Sequence, residues 1–146
     1  MSKKPINEMK LKFPSLSANE KLSRIAISGF VGLYDPRIDE LNEIKTAVSE
    51  AVTNSIVHGY RNTCGEIELT AKAFSDGLIY IKIRDKGAGI EDVARAMEPL
   101  YTSLPDEERS GLGFSVMESF CDSVKVTSKL GSGTTVVLTK RLKTKL

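Results

Sequence analysis

The sequence predicts an α+β fold, a two-layer sandwich of helices on a mostly antiparallel sheet. Three observations carry this. Segments with a period of two and segments with a helical period follow in the order strand, two helices, two strands, short helix, loop, helix, two strands. Two of the strand pairs read as hairpins around short Gly-containing turns. The 146 residues, 40% hydrophobic and 27% charged, have the size and composition of one ordinary globular domain, with no internal repeat or interdomain linker.

In chain order, Met9, Leu11 and Phe13 alternate with Lys10 and Lys12 as a first strand that Pro14 closes. Ser17-Ala18-Asn19-Glu20 has the form of a capping box, and Leu22, Ile25, Ala26, Phe30 and Leu33 follow at helical spacing, so the first helix is expected to run to about Leu33 with these residues inward. Asp35-Pro36 interrupts the pattern. The second helix carries Leu41, Ile44, Val48, Ala51, Val52 and Ser55 on one face and stops near Gly59. Ile67, Leu69, Ala71 and Ala73, then Ile79, Ile81 and Ile83, form a hairpin around Ser75-Asp76-Gly77 that ends at Asp85. A short helix is expected within Glu91 to Met97, a long polar loop over Glu98 to Ser110, and a helix from Leu112 to Cys121 with Val116, Met117 and Phe120 inward. The last two strands flank Gly131-Ser132-Gly133.

Composition excludes several functions. With 21 Lys plus Arg against 19 Asp plus Glu, the net charge of +2 is too small for a nucleic-acid footprint. Cys64 and Cys121 lie far apart, and one histidine leaves no zinc constellation, which fits a reducing cytoplasm. No apolar run approaches the roughly 18 residues of a membrane helix, and the N-terminus lacks the apolar core of an export signal.

Three motifs can carry chemistry. Asp85-Lys86-Gly87-Ala88-Gly89 stands at a strand end: the carboxylate can accept a hydrogen bond from an exocyclic amine, while the glycines admit close approach to the backbone. A plain strand-ending turn explains it equally well. Gly111-Leu112-Gly113 precedes a helix, where unpaired N–H groups suit a phosphate, or it is a flexible loop end. Glu50 and Asn54 lie at i, i+4, with Glu43, Ala47 and His58 on nearly the same stripe, opposite Leu41, Val48 and Val52. That stripe is either a solvated face or a site in which the Asn54 amide oxygen ligates Mg²⁺ and Glu50 accepts a hydroxyl proton. His58 suits a helix end, Gly133-Thr134 a hairpin turn, and Arg109 either solvent or a phosphate.

In order, Glu50, Asn54, His58-Gly59, Asp85-x-Gly87-x-Gly89, Gly111-x-Gly113 and Gly133-Thr134 resemble the nucleotide-binding boxes of the GHKL ATPase and kinase superfamily. Ser49 to Asn54, His58-Gly59-Tyr60, Pro99-Leu100-Tyr101-Thr102 and Glu108 to Phe114 are similar to its sporulation anti-sigma serine kinases, over nearly the whole chain. The resemblance implies a single ATP-binding domain, with a lid over about 98–110, that binds ATP or ADP with Mg²⁺ and forms a homodimer. It also implies that the protein sequesters a sporulation sigma factor and phosphorylates an anti-anti-sigma protein on serine, without a nucleic-acid or membrane partner. By position, Glu50 is the implied general base and Asn54 the Mg²⁺ ligand; Asp85 reads the adenine amine, Gly87 and Gly89 shape its pocket, and Thr134 lies near the base. Gly111 and Gly113 bind phosphates beside Thr102 and Ser110, Arg109 faces the γ-phosphate and the partners, and Arg24 contacts the sigma factor. Leu104 departs from the family, which often has Lys there. Histidine kinase modules, gyrase-like ATPases, a nucleotide-holding module without kinase activity and a stress-response anti-sigma kinase are the competing classes.

Overall fold

The computed structural model describes residues 4–90, 92–97 and 110–143. Strands β1 (Asn7–Pro14), β2 (Glu66–Ala73), β3 (Leu78–Asp85), β4 (Ser123–Lys129) and β5 (Gly133–Arg141) form one sheet in the order β1-β2-β3-β5-β4. Every pairing is antiparallel. Helices α1 (Ala18–Gly32), α2 (Ile38–Asn54), the short α3 (Val93–Ala96) and α4 (Ser110–Phe120) complete the described elements, together with a π-helical turn at Ser55–Gly59. The α+β, two-layer expectation holds, and α2 packs against both α1 and α4.

Alternation decides which side of the sheet is buried. Leu11, Leu69, Ile83, Val136 and Val126 form one cross-strand row facing the helices, and Met9, Ala71, Ile81, Leu138 and Val124 form the next. These rows meet Ile27, Val31, Ile44, Val48 and Met117 from the helices. Burial of each such side chain contributes about 1.5 to 3 kcal/mol, so the two rows anchor the sheet to the helical layer. The third row, at the end of the sheet, changes character from Phe13 and Ile67 to Asp85, Thr134 and Ser128. The sheet therefore ends in a polar rim on its inner side.

The first helix departs from expectation in two ways. Its buried face is Ser23, Ile27, Phe30 and Val31, whereas Leu22, Ile25 and Leu33 are 41%, 61% and 67% exposed. The stripe is rotated by about one residue, which is tolerable because the buried Ser23 hydroxyl donates to the Glu20 carbonyl at 2.6 Å. The capping box does not form, since Ser17 is helical and makes no side-chain cap. Glu20 instead accepts from Arg24 Nε, one turn along its own helix, at 2.5 Å and from Ser49 Oγ on α2 at 3.0 Å. The cap-like carboxylate belongs to α2: Glu40, buried, accepts from the Arg37 backbone N–H at 2.9 Å and from the Lys143 N–H at 2.9 Å, tying the end of the chain to the helix start.

The hairpin over 67–83 forms as expected, its turn closed by Phe74 and Leu78, with Gly77 at φ 92°. Helix α4, Ser110–Phe120 as described, already includes Gly111, which was expected before the helix, and Gly113. Cys64 and Cys121 are both free thiols, and burial pushes the Cys121 thiol up to about 11. Among the described residues no helix is long and apolar enough to cross a membrane.

Candidate functional site

The polar rim of the sheet, the end of α2 and the start of α4 meet. Asp85, the last residue of β3, is 4% exposed and points into the helical side of the sheet. Its Oδ1 accepts from the Gly87 N–H at 2.9 Å and the Thr134 N–H at 3.2 Å, and its Oδ2 accepts from the Ser55 hydroxyl at 2.7 Å. A carboxylate offers about four acceptor positions, so three donors leave one for a ligand amine. All three surrounding donors turn their hydrogens toward the carboxylate, so this end of the site presents an anionic acceptor.

The glycines explain how the loop after β3 is held. A Cβ on Gly87 would lie 2.0 Å from the Gly59 carbonyl oxygen, and one on Gly89, at φ 77°, would lie 2.2 Å from the Lys129 carbonyl oxygen. The close approach that these residues allow is to the protein's own backbone. The loop is tied at successive residues: Lys86 N–H donates to Tyr60 Oη (2.7 Å), Ala88 N–H to the Gly59 carbonyl (2.7 Å) and Ile90 N–H to Ser128 Oγ (2.7 Å). Tyr60 in turn donates to the Glu66 carbonyl at 2.6 Å, and burial raises its phenol above the usual value. Ser128 also lies 2.8 Å from the Thr134 hydroxyl.

At the other end, Glu50 and Asn54 are half-buried beneath α4 rather than solvated. A Cβ on Gly113 would lie 3.2 Å from Asn54 Nδ2, 3.4 Å from its Oδ1 and 3.3 Å from Glu50 Oε2. Helix α4 at Gly113 therefore abuts a carboxylate and an amide. Asn54 Nδ2 is buried without a hydrogen-bond partner among the described residues. A buried amide donor seeks an acceptor, so this group is a candidate to bind a ligand. The local donors are hard oxygens, and no group of three His, Cys, Asp or Glu side chains able to hold a metal occurs among the described residues. That set fits Mg²⁺ held by one side-chain oxygen and phosphate oxygens.

The structure thus brings together Glu50, Asn54 and Gly113 at one end, and Asp85, Gly87, Gly89 and Thr134 at the other. Gly111 lies in the first turn of α4, as does Ser110 at its start. Arg24 lies on α1, engaged with Glu20 on its own helix. The expectations for Thr102, Arg109 and the lid up to residue 109 fall outside the described residues. Sequence reasoning missed Ser55, assigned to the apolar face of the second helix, and the anchoring pair Tyr60 and Ser128. The signal for Ser128 was the alternation that puts it on the face of Val124 and Val126, and for Tyr60 it was the need of a buried phenol for partners.

This two-layer fold is matched, over residues 17–140, by the histidine kinase-like ATPase domain family. It is an ATP-binding domain family. The chain is 51% identical over 135 residues to the anti-sigma F factor of Clostridium beijerinckii, covering 92% of this chain and 94% of that protein. It is 52% identical over 136 residues to that of Oceanobacillus iheyensis, covering 93% of each. The chain belongs to the histidine kinase-like ATPase domain family and, within it, to the anti-sigma F factors. Among solved structures, the RsbU and RsbW domains of a Mycobacterium tuberculosis protein superpose with a TM-score of 0.70 at 19% identity, over 94% of this chain and 33% of that one. The histidine kinase domain of a blue-light activated kinase from Erythrobacter litoralis gives 0.55 at 20% identity, over 86% and 60%. These two likenesses concern the fold.

Proposed function

We propose that this chain is an anti-sigma factor that sequesters a sporulation sigma factor and uses ATP to phosphorylate an anti-anti-sigma protein on serine. The observation that carries the reading is the meeting of Glu50, Asn54 and Gly113, with Ser55, the residue after Asn54, donating to the buried Asp85 acceptor. One end is built to accept a hydrogen bond from an amine, and the other offers N–H groups to phosphate.

In this reading Asp85 accepts from the adenine amine, held in place by Ser55, Gly87 and Thr134. Gly111 and Gly113 turn backbone N–H groups toward the phosphates, with Thr102, Ser110 and Arg109 completing the lid. Asn54 would hold Mg²⁺, which supplies charge neutralisation between phosphate oxygens when bound. Glu50 accepts the proton of the incoming serine hydroxyl, and Arg109 offsets charge on the transferred group. Arg24 contacts the sigma factor. The exposed Leu22, Ile25 and Leu33 of α1 and the edge of β1, unpaired among the described residues, support homodimerisation.

The test is incubation of the purified protein with radiolabelled ATP, Mg²⁺ and the cognate anti-anti-sigma protein. Label on a serine of the partner is expected. Sigma binding and ATP binding without transfer would replace the kinase reading with that of a nucleotide-holding sequestration module.

A further inference from the structure

The face of the sheet turned away from the helices carries a pattern of its own. Register aligns Lys10, Thr70, Lys82, Val137 and Lys125 in one row, one residue per strand across all five strands. Neighbouring strands lie about 4.8 Å apart, so successive lysines of the row stand about 10 Å apart. Beside this row charges are matched: Lys12 pairs with Glu68 at 3.8 Å and Glu8 with Lys72 at 3.7 Å. Lys10, Lys82 and Lys125 have no ion pair among the described residues, and neither does Arg84, which shares their face next along β3. A second, independent observation sits at the same place. Thr70, between Lys10 and Lys82, is 2% exposed, and its hydroxyl has no hydrogen-bond partner among the described residues. Buried hydroxyls in folded proteins nearly always have one.

We propose that this face docks an acidic protein segment, with Lys10, Lys82, Lys125 and Arg84 meeting its carboxylates and the Thr70 hydroxyl donating to one of them. Carboxylates seven residues apart on a helix are about 10.5 Å apart, which matches the lysine spacing, so an acidic helix laid across the strands fits. A second copy of this chain does not fit, because it would bring like charges together. Nor does a nucleic acid, since Glu8, Glu66 and Glu68 share the face and the net charge is only +2. Asp85 points to the opposite side of the sheet, so an occupant here leaves the nucleotide cleft open.

The probe is a fluorescein-labelled helical peptide bearing Glu at every seventh position, titrated with the full chain at low salt and followed by anisotropy. Replacing Lys10, Lys82 and Lys125 together by Gln is expected to weaken binding about tenfold, with ATP affinity unchanged. Replacing Lys21 and Lys45, in the helical layer, by Gln is expected to leave it unaltered. Thr70→Val is expected to weaken peptide binding several-fold while raising the melting temperature, because it removes a buried unpaired hydroxyl at constant shape. Wild-type affinity in the triple variant, or an equal loss in the Lys21 and Lys45 control, would overturn the proposal. A 20-base-pair DNA duplex binding more tightly through the same lysines would overturn it in favour of a nucleic-acid face. Unchanged affinity in Thr70→Val would overturn the role given to the hydroxyl.

Discussion

The Asp85 and Glu50 regions of the candidate site are built differently. At the Asp85 end the protein has satisfied nearly all of its own polar groups: three donors hold the carboxylate, and the following loop is tied to Tyr60, Gly59 and Ser128. At the Glu50 end, Asn54 keeps a buried amide nitrogen without a partner among the described residues, beside Gly113 of α4. A preorganised acceptor needs little rearrangement to bind, so the Asp85 end suits the base recognition proposed for it. In the same proposal the Glu50 end keeps its polar groups for the reacting part of the ligand, where differential interaction with the transition state is useful.

The largest expected effect separates the ends by function. Glu50→Gln should keep ATP binding while phosphorylation of the anti-anti-sigma protein falls by roughly 10² to 10⁴ in a single-turnover assay. A rate within a few-fold of wild type would remove the base from Glu50 and make the phosphate end a binding surface only.

Asp85→Asn should act on binding itself. The amide presents an NH₂ donor where Ser55, Gly87, Thr134 and the ligand all need an acceptor, and hydrogen bonds to a charged group are worth about 1.5 to 3 kcal/mol, or roughly 10- to 100-fold in affinity. Calorimetry showing unchanged ATP affinity would break the assignment of this end to the base.

Asn54→Ala sharpens the contrast, because it should weaken ATP binding several-fold more in the presence of Mg²⁺ than in its absence. Equal losses under both conditions would indicate a defect at the end of α2 and not a lost oxygen ligand.

The smallest effect is expected for Ser55→Ala, which removes one of the three donors to Asp85. It should cost about 1 kcal/mol of stability and about fivefold in ATP affinity, with the phosphorylation rate at saturating ATP unchanged. A fall in that rate with affinity intact would mean that the two ends are coupled through the π-helical turn that joins Asn54 to Gly59.

Much of this molecule was legible before any coordinates. Periodicity located the strands, the 67–83 hairpin and the helices to within a few residues, while the motifs at Glu50 and Asn54, Asp85-x-Gly87-x-Gly89 and Gly111-x-Gly113 were each open between site and plain structure until a family resemblance joined them. What periodicity reports is which residues share a face. It does not report what that face meets. The Glu50 and Asn54 stripe looked as fit for solvent as for a site, and α4 decided the matter by packing over it. Likewise Leu22, Ile25 and Leu33 read as core until the layer placed Ser23, Ile27 and Val31 there, a rotation of about one residue that local pattern cannot distinguish. Ser55, Thr134 and Ser128 came to the Asp85 end only through strand register and the turn after α2, which bring together residues 30 to 49 positions distant in the chain. Local sequence determines backbone periodicity through short-range sterics and hydrophobic spacing, whereas the cleft depends on long-range register and layer order, which the tertiary structure alone decides.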